Sequence, residues 1–121
     1  MSEDQGFWEY LNQLVVNCRI MVDRPKGSIH PNYDDLVYPM DYGYLEGTTT
    51  IDGGGIDVWV SSEPYTYLNE LICTVDLNKK DLEIKLLIGC SISEINEILD
   101  FHNKHSMRAF LIKKQKSCNG R

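Results

Sequence analysis

Apolar residues recur at Phe7, Trp8, Leu11, Leu14, Val15 and Cys18, the spacing of one helical face, which predicts an amphipathic helix from about residue 3 to 17. Ser2-Glu3-Asp4-Gln5 ahead of it has capping-box order, with a hydroxyl at the start and a Gln able to reach back. Phe7, Leu11 and Leu14 are expected to carry its packing. The pattern then shortens. Arg19–Asp23 reads as a strand, and RPKGSIHPNYDD after it is too rich in Pro and Gly for a regular central strand. Tyr42–Thr50 and Ile56–Val60 are β-branched and aromatic, and face each other across a glycine turn. Glu70–Val75 and Leu82–Ile88 flank the polar turn DLNKKD as a second hairpin. Ser91-x-x-Glu94 caps a second helix with Ile95, Ile98 and Leu99 on one face, ending near His102–Asn103. Ala109–Ile112 is a last strand.

Short strands with a helix at each end give an α+β fold, a partly closed barrel of about five strands. A chain of 121 residues is one domain, 1–121, with ordinary hydrophobic (42%) and charged (25%) fractions. The four cysteines are scattered, without CxxC or zinc-like spacing, so a reducing compartment is expected. The acidic start MSEDQGFW lacks the basic region and apolar run of a signal peptide. No apolar run approaches the roughly 18 residues of a membrane span. These features lead to the expectation of a cytoplasmic protein with no membrane partner.

The net charge of −6 argues against generic nucleic-acid binding. Its distribution is uneven. Lys104, Arg108, Lys113, Lys114, Lys116 and Arg121 place six of the twelve basic residues in the last eighteen positions, where there is no acid. That segment is either a solvated strand edge and tail or a cationic wall facing an anion.

The densest chemistry lies in YPMDYGY (38–44) and DGGGID (52–57). Asp52 and Asp57 bracket a turn that glycines make freely, so both carboxylates are able to converge. Hard carboxylate oxygens suit Mg²⁺, which neutralises phosphate charge and activates bound water. Tyr38, Tyr42 and Tyr44 offer hydroxyls to phosphate oxygens. Each feature also has a plain structural reading: DGGG as a hairpin turn, one of Tyr42 and Tyr44 in the core, and DLNKKD as a surface turn ended by Asp76 and Asp81.

In order and spacing, PKGS, then YPxxYGY, then DGxxxDV resembles the family I soluble inorganic pyrophosphatases, specifically over about residues 19–60 and more weakly over 70–104. The resemblance implies a small OB-type five-stranded β-barrel with an N-terminal and a C-terminal helix. It also implies Mg²⁺-dependent hydrolysis of inorganic pyrophosphate or a related phosphoanhydride, and a homo-oligomer. By it, Asp57, Tyr42 and Asp41 are catalytic. Tyr38, Tyr42, Lys26, Lys85 and Lys104 bind substrate, while Asp23, Asp52, Asp57, Asp81 and Glu83 hold metal. Glu83-x-Lys85 stands as an alternative to Asp76/Asp81 for the family's later acidic pair.

The chain also departs from that pattern. Gly54 stands where the family's DxDxxD has its central aspartate, Asp41 where YPxNYG has asparagine, and Asn103 where a clamp tyrosine is expected. Only twelve residues separate Pro25 from Tyr38, which leaves no room for the hairpin where the family carries a lysine, a glutamate and an arginine. This leaves His30 as the nearby residue able to supply positive charge there. Losing one metal carboxylate and two cationic phosphate ligands lowers a phosphoryl-transfer rate by on the order of 10²–10⁴. The second reading is therefore a catalytically inactive, pyrophosphatase-like phosphate-binding or interaction protein. An OB-type nucleic-acid binder is third, and the net charge disfavours it.

Overall fold

The computed structural model describes residues 4–63 and 67–115. Ser2 and Glu3 of the expected cap, and Lys116, Cys118 and Arg121 of the basic tail, lie outside those residues. Helix α1 (Gln5–Val16) is followed by β1 (Ile20–Arg24), β2 (Asp41–Leu45), β3 (Ile56–Val60), β4 (Glu70–Asp76), β5 (Asp81–Ile88), α2 (Ile92–His102) and β6 (Met107–Lys113). The class is α+β. No helix among the described residues is long and apolar enough to cross a membrane.

The strands form one mixed sheet in the order β1-β2-β3-β5-β4-β6, antiparallel throughout except for β3 beside β5. This corrects the expected five-stranded barrel. There are six strands, and among the described residues no pairing joins β1 to β6. Closure would need the free edge of β4, and β6 takes that edge from Asp76↔Met107 to Glu70↔Lys113.

Side chains alternate across a strand, yet Val58-Trp59, Leu71-Ile72 and Leu86-Leu87 are buried at both positions of each pair. The sheet therefore has two covered faces. Trp8 and Val15 of α1 join Val58, Leu71 and Leu86 on one of them. Ile95, Ile98 and Phe101 of α2 join Trp59, Ile72 and Leu87 on the other. Double burial is why these strands read as continuous apolar runs.

Helix α1 turns a different face inward from the expected one. Trp8 and Val15 are buried, Leu11 is half-buried, and Phe7 and Leu14 are exposed. Asn12 fixes this rotation. Its amide nitrogen donates to the Leu68 carbonyl (3.0 Å), and its amide oxygen accepts from the Leu68 N–H (2.8 Å). At α2 the capping box is present. Ser91 Oγ accepts from the Glu94 N–H (3.1 Å), and Glu94 Oε1 accepts from the Ser91 N–H (2.8 Å).

One irregularity shapes the site. The β1–β2 register slips between Val22 and Arg24, leaving Asp23 as an extra residue in a bulge. Gly43 lies opposite, where an added Cβ would come within 1.8 Å of the Met21 carbonyl oxygen. The glycine of YPMDYGY thus permits the close approach of β1, and the bulge re-aims the two residues that follow Val22.

Candidate functional site

The face covered by α2 opens into a cavity of about 670 Å³ beside the helix. Tyr42 and Trp59 are cross-strand partners, as are Asp57 and Lys85, so all four share one face with Glu83, two residues before Lys85. Lys85 Nζ donates to Tyr42 Oη (2.7 Å), Asp57 Oδ2 (3.1 Å) and Glu83 Oε1 (3.0 Å). All three ammonium protons have acceptors. The lysine side chain is 5% exposed, against 32% for Asp57 and 26% for Glu83. The floor therefore presents carboxylate oxygens to the cavity with a buried positive charge beneath them.

Burial acts to lower the Lys85 pKa, but its neighbours Tyr42, Asp57 and Glu83 outweigh it and hold the amine protonated. Burial likewise lifts the Tyr42 hydroxyl well above its ordinary value, although Lys85 opposes it, so Tyr42 stays a neutral phenol. Tyr38 is raised in the same way, with Arg24 opposing through its charge and a hydrogen bond. Arg24 and Asp23 both line the cavity because the bulge defeats the alternation that would send them to opposite faces.

The far wall comes from α2, the turn after it and residues 30–36. All three histidines of the chain line the cavity. His102 is buried, and Trp59 Nε1–H donates to its Nε2 (3.0 Å), which leaves the proton on Nδ1 facing Met107 Sδ (3.1 Å). Burial, followed by the charges of Lys85 and His30, pushes its pKa down to about 3. His30 is also lowered, mainly by burial, and stacks parallel to Tyr38. His105 stacks on Tyr33 (4.1 Å), and its Nε2 lies 3.1 Å from each Asp35 carboxylate oxygen. Arg24, Lys79, Lys85 and Lys104 balance Asp23, Asp57, Asp76 and Glu83 around the cavity. In a chain of net charge −6, this is a locally neutral site.

Comparison of this fold with solved structures finds an inorganic pyrophosphatase from Coxiella burnetii, at 14% identity over 78% of this chain and 82% of that one, with a TM-score of 0.54. An inorganic pyrophosphatase from Helicobacter pylori is similar at 16% identity, over 80% of this chain and 75% of that one, with a TM-score of 0.51. The fold is pyrophosphatase-like. No protein-family model matches the chain, and no curated protein matches it in sequence.

Within this pyrophosphatase-like fold the residues singled out from sequence divide into two groups. Asp23, Tyr38, Tyr42, Asp57, Glu83, Lys85 and Lys104 line the cavity, and Lys26, Asp41, Asp52 and Asp81 do not. Asp52 does not converge with Asp57 in the cavity. It lies on the exposed turn, where its Oδ1 accepts from Thr50 Oγ1 and from the Gly54 N–H (3.0 Å). Those two bonds hold its pKa below the ordinary carboxylate value. Asp41 Oδ1 accepts from the Lys26 backbone N–H (2.8 Å), which ties β2 to the PKGS turn. Asp81 sits opposite Asp76 at the hairpin end, 3.9 Å from Lys79. Asp76, rather than Asp81, faces the cavity. Its Oδ1 closes the DLNKKD turn by accepting from the Asn78 and Lys79 N–H groups, and it also takes Ser106 Oγ (3.0 Å).

Arg24, Tyr33, His102 and His105 also line the cavity, and the sequence pattern does not single them out. Arg24 carried no signal, because period-two alternation assigns it the face opposite Asp23. In the sequence His102 stands only as a helix end.

For a divalent cation the donor set is of the right chemistry but loosely gathered. Among the described residues no group of three His, Cys, Asp or Glu side chains is placed to hold a metal ion. Mg²⁺, however, is commonly bound by one or two carboxylates together with substrate phosphates. The part-exposed oxygens of Asp57 and Glu83, with Asp23 beside the same cavity, are donors of that kind.

Proposed function

We propose that the protein is a phosphoanhydride hydrolase of pyrophosphatase-like fold, with inorganic pyrophosphate as its basic substrate. The observation that carries this reading is the meeting of Tyr42, Asp57, Glu83 and Lys85 from three strands on the floor of one cavity. Asp23, Asp57 and Glu83 would hold Mg²⁺ jointly with substrate oxygens, and the ion would supply charge neutralisation at the phosphate. Arg24 and Lys104 would orient the phosphates, and Lys85 would hold Asp57 in place through its 3.1 Å contact. The reaction adds a water oxygen to one phosphorus and breaks the bridging P–O bond. The electron pair leaves on the other phosphate, and the products share the water's protons.

A second reading, binding without turnover, is favoured by two observations. Lys85 already engages both Asp57 and Glu83, while the Asp52–Gly54 turn lies away from the cavity. Phosphate release from pyrophosphate with Mg²⁺ decides between them, alongside calorimetric binding of pyrophosphate. Turnover that falls at least about 10²-fold in Asp57→Asn supports the hydrolase. Binding without turnover supports the second reading, and absence of both overturns each. Self-association belongs to the same proposal. The outward residues Phe7, Tyr10 and Val16 of α1 are 55%, 75% and 71% exposed, and light scattering on the full chain reads the outcome.

A further inference from the structure

The cavity is larger than inorganic pyrophosphate requires. Its volume of about 670 Å³ falls within the range of sites that enclose drug-sized ligands, roughly 300–1,000 Å³. Pyrophosphate is two phosphate tetrahedra sharing an oxygen, and the charged floor accounts for it. Beyond the floor the cavity changes character. A file of rings leads away from Lys85: Tyr42 to Tyr38 (centroids 5.7 Å apart), Tyr38 to His30 (6.0 Å), His30 to Tyr33 (5.3 Å) and Tyr33 to His105 (4.1 Å). Exposure grows along it, from buried Tyr38 to the exposed His105.

The end of this file is built in advance. Tyr33 and His105 come from two separate loops and lie nearly parallel, 13° apart. Asp35 pins the histidine through both carboxylate oxygens. Ring faces of this kind offer stacking rather than hydrogen bonds, and they accept nucleobases with little regard to identity. Inorganic pyrophosphate has no group to place there. A diphosphate ester carrying a flat base does.

We infer that the cavity takes a nucleoside diphosphate, with the diphosphate at the Lys85 floor and the base against the Tyr33–His105 stack. This rests on the phosphoanhydride reading above and names the substrate class within it. In the reaction, the water oxygen bonds to the terminal phosphorus as the anhydride P–O bond breaks. The electron pair leaves on the nucleoside monophosphate, and the water's proton passes to solvent.

Calorimetric titration of the full chain with Mg²⁺ and three probes tests it: ADP, methyl diphosphate (the same ester diphosphate without a base) and inorganic pyrophosphate. ADP should bind more tightly than methyl diphosphate by about tenfold or more. Tyr33→Ala should erase that preference, and Tyr33→Phe should keep it. Equal binding of ADP and methyl diphosphate, with pyrophosphate bound, overturns the inference and leaves the phosphoanhydride reading standing. Failure of all three probes overturns both. A preference for ADP that survives in Tyr33→Ala overturns the assignment of the base to this stack. Far-UV circular dichroism establishes that each variant is folded, and the wild-type comparison stands by itself if Tyr33→Ala is not.

Discussion

Gly54 occupies open ground, where an added Cβ would meet only Asp52 Oδ1, at 3.5 Å. An aspartate placed there would match a metal-binding spacing in sequence, but position 54, like Asp52, does not line the cavity. Gly54→Asp is therefore expected to leave stability within about 0.5 kcal/mol and pyrophosphate turnover unchanged. Urea denaturation and phosphate release check the two halves, and a higher rate at low Mg²⁺ would return the turn to the site. His102 is the opposite case, a residue whose weight comes mainly from burial. It stays neutral in the fold down to about pH 3, whereas in the unfolded chain it protonates near its ordinary value of about 6.5. Between those values the unfolded state binds the extra proton, so acidification favours unfolding. From pH 7 to pH 5 this removes about 2 kcal/mol. In His102→Gln that loss is absent, so the stability deficit of the variant should shrink by about that amount over the interval. A constant deficit in urea midpoints would contradict the buried neutral ring.

At the level of elements, α1 shows how a helical stripe can be read correctly in period and wrongly in phase. Phe7, Trp8, Leu11, Leu14 and Val15 form a stripe wide enough for two rotations, and the two bonds between Asn12 and Leu68 select the one that buries Trp8 and Val15. Trp8→Ala should cost about 3–5 kcal/mol. Phe7→Ala, which loses mainly an edge-to-face contact with Trp8, should cost about 0.5–1.5 kcal/mol. Thermal unfolding of both variants checks the order, and equal losses would mean the helix packs by the other face. The second helix left no such choice. Ser91 and Glu94 fix its first turn, and Ile95, Ile98 and Phe101 make a single narrow stripe against Trp59 and Leu87.

Across the whole molecule, the cavity draws on both sheet edges of the fold and on α2, from Asp23 near the start to Met107 near the end. A ligand held there contacts segments that separate on unfolding, so its binding energy adds to global stability. Under the proposed reading, pyrophosphate with Mg²⁺ at ten times its Kd stabilises the chain by about 1.4 kcal/mol. For a chain of this length that raises the unfolding temperature by several degrees, at about 4 °C per kcal/mol. Differential scanning fluorimetry reads the shift. An unchanged unfolding temperature at saturating pyrophosphate would count against a phosphoanhydride site.

Features that depend on neighbours along the chain are legible in the sequence. The Asp76–Asp81 hairpin, the Ser91–Glu94 cap, the α+β class and the strand Ile56–Val60 follow from periodicity and turn chemistry. The motifs also drew attention to Tyr42, Asp57, Glu83 and Lys85, because their spacing survives in the sequence. The remaining features are fixed by contacts between distant segments. Whether the sheet closes depends on which strand pairs with the edge of β4, and β6 does so through a register with no local signature. The bulge at Asp23 breaks the alternation that would have assigned Arg24 a face. Asp35 and His105 meet across 70 residues, and Asp52, five residues from Asp57, ends outside the cavity. Sequence patterns record the direction in which each backbone segment points its side chains; distance in space is set by pairing registers between remote strands, which no local period encodes.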